Sequence, residues 1–161
     1  MFEEFMGIPA HPLVLHAAVV FVPLLALLTI AYALVPLVRP HTRWVLGLLA
    51  VGAPLCALLA KFSGDAFFER MRSANRVTPE FLPKLEAHQH FGDLTLYAAI
   101  GLAVVALALV WFVPPRPAEG VRPARALTVA LQVLSLVAAG IAVYYVVRTG
   151  DSGAKAVWEG Q

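Results

Sequence analysis

The chain has 161 residues, 60% of them hydrophobic and only 14% charged, with a formal net charge of +2. Soluble domains carry roughly 45–50% apolar and about 25% charged residues, so this composition excludes an ordinary soluble domain and makes lipid part of the solvent. There is no basic run to track phosphates, which excludes a nucleic-acid partner, and the lone Cys56 excludes an intrachain disulfide.

In chain order, Glu3 and Glu4 stand where a secretory signal would carry basic residues, so no signal peptide is expected. Four apolar spans follow, at about 13–38, 44–62, 91–113 and 125–147. Each is close to the roughly 20 residues a helix needs to cross hydrocarbon, and helices satisfy their own backbone groups without water. The expected fold is all-α: a single polytopic domain over 1–161, an antiparallel four-transmembrane-helix bundle. Pro23 and Pro54 fall inside two spans and predict kinks.

Residues 61–90 read as a long connection. Phe67, Phe68 and Met71 lie on one helical face beside Glu69, Arg70 and Arg72, which predicts a short interfacial helix between helices two and three. Thr78-Pro79-Glu80 reads as the start of helix three, and Gly150 as the stop of helix four. Trp44 and Trp111 at one rim and Trp158 at the other are expected interfacial anchors. The compact arginine loops (Arg39 and Arg43; Arg116, Arg122 and Arg125, with one acid, Glu119) favour a cytoplasmic rim there and extracytoplasmic termini.

Even-numbered threading returns the start of helix one, the end of helix two, the start of helix three and the end of helix four to one rim. That rim gathers His11, His16, Asp65, Glu69, His88, His90, Asp93, Arg148 and Asp151, leaving only His41 opposite. His88 shares a stripe with Gly92, Thr95, Ala99, Ala103 and Ala106, the small residues that mark helix–helix contact, so it should point inward while His90 faces away. Helix two carries Gly47, Ala50, Ala53, Ala57, Ala60 and Gly64 in the same way, and helix four Thr128, Gln132, Ser135, Ala139 and Ala142.

Three readings compete for the histidines. A b-type haem could sit between His16 or His11 and His88. Copper or zinc could be held by His11, His16 and His88, with Asp65 or Glu69 completing the site and Met6 as a soft ligand for copper. A histidine beside Asp65 or Asp93 could handle protons or a quinone. In each, Asp93, Glu69, Arg148 and Asp151 would be supporting neighbours. Against these stands a plain structural role, and no CxxC, HExxH or CxxCH element tips the balance. No hydrolytic triad or phosphate loop is present, and no charge lies deep in a span, so independent catalysis and ion-coupled transport are not expected.

The chain resembles an uncharacterised family of bacterial four-helix membrane proteins, a domain of unknown function common in actinobacteria. The resemblance rests on the HPxxxH opening His11-Pro12-Leu13-Val14-Leu15-His16 and on Lys61-Phe62-Ser63-Gly64-Asp65. It also rests on His88 with Gly92-Asp93, and on the segment from Arg148 to Lys155. Some members look like fusions with Rieske-type iron–sulfur modules. The resemblance therefore implies a respiratory or other redox complex as partner and the bacterial cytoplasmic membrane as location. The leading expectation is a His/Asp site at one membrane face serving membrane redox chemistry; the runner-up is a non-catalytic accessory or scaffold subunit.

Overall fold

The computed structural model describes residues 4–5, 8–115 and 124–158. Four helices make up nearly all of it: α1 (Ala10–Leu34), α2 (Arg39–Ser73), α3 (Leu82–Phe112) and α4 (Arg125–Trp158). A two-residue pairing of β1 (Glu4–Phe5) with β2 (Ile8–Pro9) precedes them, and a single 3₁₀ turn, Pro36–Val38, joins α1 to α2. All four helices are long and apolar enough to cross a bilayer. Their outward faces suit lipid, with Leu27, Leu48 and Val104 well exposed. Trp44, Trp111 and Trp158 are exposed at the helix ends, as interfacial anchors should be.

Around the bundle, α1 packs on α2 and α4, and α3 packs on the same two helices, while α1 and α3 meet only briefly across the centre. At one rim the Tyr32 hydroxyl near the end of α1 donates to the Val113 carbonyl just past α3 (3.1 Å), and Gln132 of α4 donates to the Ala33 carbonyl (2.9 Å). There Arg39 turns back to donate to the carbonyls of Tyr32 and Ala33, both at 2.9 Å. These last carbonyls of a helix have no intrahelical donor, so side chains supply one. The small-residue stripes form the inner surface: Ala50, Ala53, Ala57 and Ala60 of α2 are buried, as are Ala99, Ala103 and Ala106 of α3 and Ser135, Ala139 and Ala142 of α4. Small side chains let backbones approach closely, which is how helices gain packing energy where lipid is as apolar as leucine.

Three boundaries differ from the sequence expectation. The short interfacial helix is not a separate element, because α2 runs unbroken to Ser73 and carries Phe67, Phe68 and Met71 on its last turns. Gly64 is too weak a breaker to interrupt it, and the Lys61–Asp65 ion pair (3.1 Å) spans that turn. What ends α2 is Asn75 in the left-handed region (φ 52°). Arg76 N–H bonds to Met71 C=O and Asn75 N–H to Arg72 C=O, a Schellman motif. Helix three starts at Leu82 rather than Thr78, with Pro83 in the first turn and Thr78 C=O closing the preceding turn. Helix four does not stop at Gly150; it continues through Gly150 and Gly153 to Trp158. Met6, Arg116, Glu119 and Arg122 lie outside the described residues.

Candidate functional site

At the rim opposite Tyr32, the first turn of α1 lies beside the last turns of α2, and the first turns of α3 lie beside the last turns of α4. His11 opens α1. Its Nδ1 lies 3.1 Å from the Ala60 carbonyl and 3.1 Å from Ser63 Oγ. A carbonyl can only accept, and the Ser63 hydroxyl already donates to the same carbonyl (2.9 Å), so Nδ1 carries the proton. His88 on α3 repeats this: its Nδ1 lies 3.1 Å from the Thr149 carbonyl and 3.2 Å from Ser152 Oγ, with Ser152 donating to Thr149 C=O at 3.0 Å. In both neutral rings the lone pair is therefore on Nε2.

Each ring is seated on a glycine. A Cβ added to Gly64 would lie 2.9 Å from His11 Cε1, and one added to Gly153 would lie 2.9 Å from His88 Cε1. This explains why glycines sit in helical backbone, where each costs about 1 kcal/mol relative to alanine. The two imidazoles are 6.4 Å apart between ring centres and nearly perpendicular, at 76°. Phe67 stacks on His11 at 6.3 Å, and a shallow recess beside His11 is lined by Ser63, Ala66, Phe67 and Arg70.

The carboxylates form a second cluster. Lys61 pairs with Asp93 of α3 at 2.6 Å and with Asp65 at 3.1 Å, and Gln89 donates to Asp65 at 3.2 Å, so the two hairpins are tied beside the imidazoles. Arg148 lies over the Phe91 ring at 4.7 Å, a cation–π contact, and Asp151 pairs with Lys155 at 2.9 Å.

The structure thus brings together His11 and His88, and separately Asp65 and Asp93 through Lys61. His16 is exposed on α1, as are Glu69 on α2 and His90 on α3; Arg148 of α4 lies over Phe91 of α3, and Asp151 pairs with Lys155 along α4. Among the described residues no three His, Cys, Asp or Glu side chains converge as a metal-holding group, so the set His11, His16, His88 and Asp65 is not assembled. Ser63, Gly64, Ser152 and Gly153, which shape the site, lie in two of the segments that carry the family resemblance, but neither spacing nor periodicity marks them as partners of the histidines.

His11 sits just ahead of the first span. Burial holds its pKa below the ordinary 6.5, and a charge on His88 would lower it further, against the opposing pull of the Ala60 carbonyl and Asp65. The folded chain therefore binds this proton less tightly than the unfolded chain. Stability from the neutral ring is complete above about pH 6.5 and declines as pH falls through the lowered folded value. Thermal unfolding in detergent should show a steeper loss between pH 8 and pH 5 for the parent than for His11→Gln. Equal slopes would mean that His11 does not titrate with folding.

No curated protein and no solved structure matches this chain. The family model described as a predicted membrane protein, DUF2231, matches residues 7–161, and the chain belongs to that family of membrane proteins of unknown function.

Proposed function

We propose that the chain binds a transition-metal cofactor at its histidine rim, the best-supported candidate being a b-type haem whose iron takes Nε2 of His11 and of His88. The observation that carries this reading is the pairing of two neutral imidazoles, each with its Nδ1–H committed to a helix carbonyl, 6.4 Å apart between centres. Metal-ligating histidines characteristically donate their other N–H to a carbonyl or carboxylate, which fixes the tautomer and raises ligand basicity.

Donor count favours haem over a bare ion. Structural zinc takes four protein ligands, and here two converge; an axially ligated haem asks for two. Such a group would supply one-electron chemistry when bound. The chain's own residues hold two imidazoles neutral, in one tautomer and close together. The expected partner is a respiratory or other redox complex in the bacterial cytoplasmic membrane. The arginines Arg39, Arg43 and Arg125 at the far rim favour an extracytoplasmic placement of the histidines.

A specific observation favours the second reading, an accessory or scaffold subunit with structural histidines. The recess beside His11 encloses no space for a water-sized molecule, whereas small-molecule pockets run to roughly 300–1,000 Å³. Visible spectroscopy and metal analysis of protein purified in mild detergent separate the two. The haem reading expects a Soret band that is lost in His11→Ala and in His88→Ala but kept in His16→Ala and His90→Ala. Stoichiometric copper or zinc without that band would replace haem by a bare ion. Folded protein that is colourless, metal-free and unable to take up added haem would leave the scaffold role.

A further inference from the structure

The hairpins α1–α2 and α3–α4 repeat one packing pattern. His88 lies 77 residues after His11, and the same step carries the buried Ala18, Val22 and Leu25 onto the buried Thr95, Ala99 and Leu102. A step of 89 residues carries the buried Ala50, Ala53 and Ala57 of α2 onto the buried Ala139, Ala142 and Val146 of α4. That second step also carries Ala60, Ser63 and Gly64 onto Thr149, Ser152 and Gly153, the three positions that hold each imidazole. One carbonyl, a hydroxyl three residues on and a glycine one further recur with distances that agree to 0.1 Å.

We infer that the chain is a fused pair of half-sites, in which Ser63, Gly64, Ser152 and Gly153 are positioning residues that present the Nε2 atoms of His11 and His88 as an equivalent pair to one ligand. Three observations support this. First, each half-site is built from two helices of the same hairpin, so either imidazole is positioned without help from the other half. Second, the two rings meet where the hairpins meet, although a ring needed only to secure its own hairpin could lie anywhere along it. Third, the surroundings have diverged while the half-site has not. Phe67 covers His11, whereas its counterpart on α4 is Ala156; Asp65 lies near His11, whereas its counterpart is Ala154. What is common to both halves is the seat, the carbonyl and the hydroxyl, which together fix where the lone pair is. This rests on the cofactor reading only for the identity of the ligand.

Long-range ¹H–¹⁵N spectra of the full chain, labelled at histidine and held in detergent micelles, report which ring nitrogen bears the proton. Two of the five histidines should show the Nδ1–H pattern, assigned to His11 and His88 by loss of the signals in His11→Gln and His88→Gln. Gly64→Ala should abolish the pattern for His11 alone, and Gly153→Ala for His88 alone. Gly101→Ala, where an added Cβ meets nothing within 4 Å, should leave both intact. Should the glycine variants fail to fold, Ser63→Ala and Ser152→Ala should each broaden or shift the pattern of their own ring, with Ser→Thr restoring it. An Nε2–H tautomer at either ring in the parent, or seat and hydroxyl variants that leave their own ring unchanged, would overturn the inference. Parent protein with both Nδ1–H rings but no cofactor would support the half-sites while removing the haem reading.

Discussion

Replacing Tyr32 with alanine should destabilise the folded bundle by about 3 kcal/mol, the low end of the aromatic-to-alanine range. The ring is fully buried, Arg39 lies 5.8 Å from its centre, and its hydroxyl holds the Val113 carbonyl where α3 ends. Truncation opens a cavity and removes the donor from a helix-terminal carbonyl. In water the lost transfer free energy would raise the cost, but lipid tails are as apolar as the core, so the cavity and lost dispersion contacts dominate. Tyr32→Phe keeps the ring and loses only the hydrogen bond, an effect of about 1 kcal/mol. Titrating the protein from mild detergent into SDS and following helicity measures both. If the alanine and phenylalanine variants unfold at the same SDS fraction, the ring is not filling the space assigned to it.

Ala142→Leu should cost as much by the opposite mechanism. Ala142 is fully buried on the inner face of α4, in a stripe where small side chains set the helix spacing. Overpacking a core costs about 1–3 kcal/mol, and a close backbone approach leaves no slack, so the upper end is expected. Ala53→Leu on α2, at the matching position of the other hairpin and equally buried, should give a similar loss. Val143→Leu faces outward and should stay within about 0.5 kcal/mol of the parent. The same titration decides it: a leucine at position 142 tolerated as well as one at 143 would mean that α4 does not pack through this face. Because the imidazole pair straddles the hairpins, a bundle wedged open at these alanines should also weaken any ligand that needs both rings.

The histidine rim was partly legible in advance, for a reason visible at His88. Its spacing from Thr95, Ala99 and Ala106 places it on the small-residue side of α3, and the ring does lie against Thr149 and Ser152 of α4. The choice between His11 and His16 was not legible. Five residues apart on a helix that is apolar on all sides, they leave no polar face by which to tell inside from outside. Packing resolves it: the first turn of α1 sets His11 over Gly64, and His16 falls on an exposed position. Gly150 misled for a related reason. Glycine is a helix stop by local propensity, yet here the close seat of His88 on Gly153 and the Asp151–Lys155 pair accompany continued helix.

The amino-acid order alone determined that this is a membrane protein with four helices long and apolar enough to span a bilayer. Those properties follow from length and polarity, which the energetics of unsatisfied backbone groups in oil make decisive. Only tertiary structure decided which imidazoles meet, that each is held by a carbonyl, a serine and a glycine of its own hairpin, and that Lys61 joins Asp93 across the two. Such choices depend on contacts of a few ångströms between residues dozens of positions apart, and no periodicity within one helix encodes them.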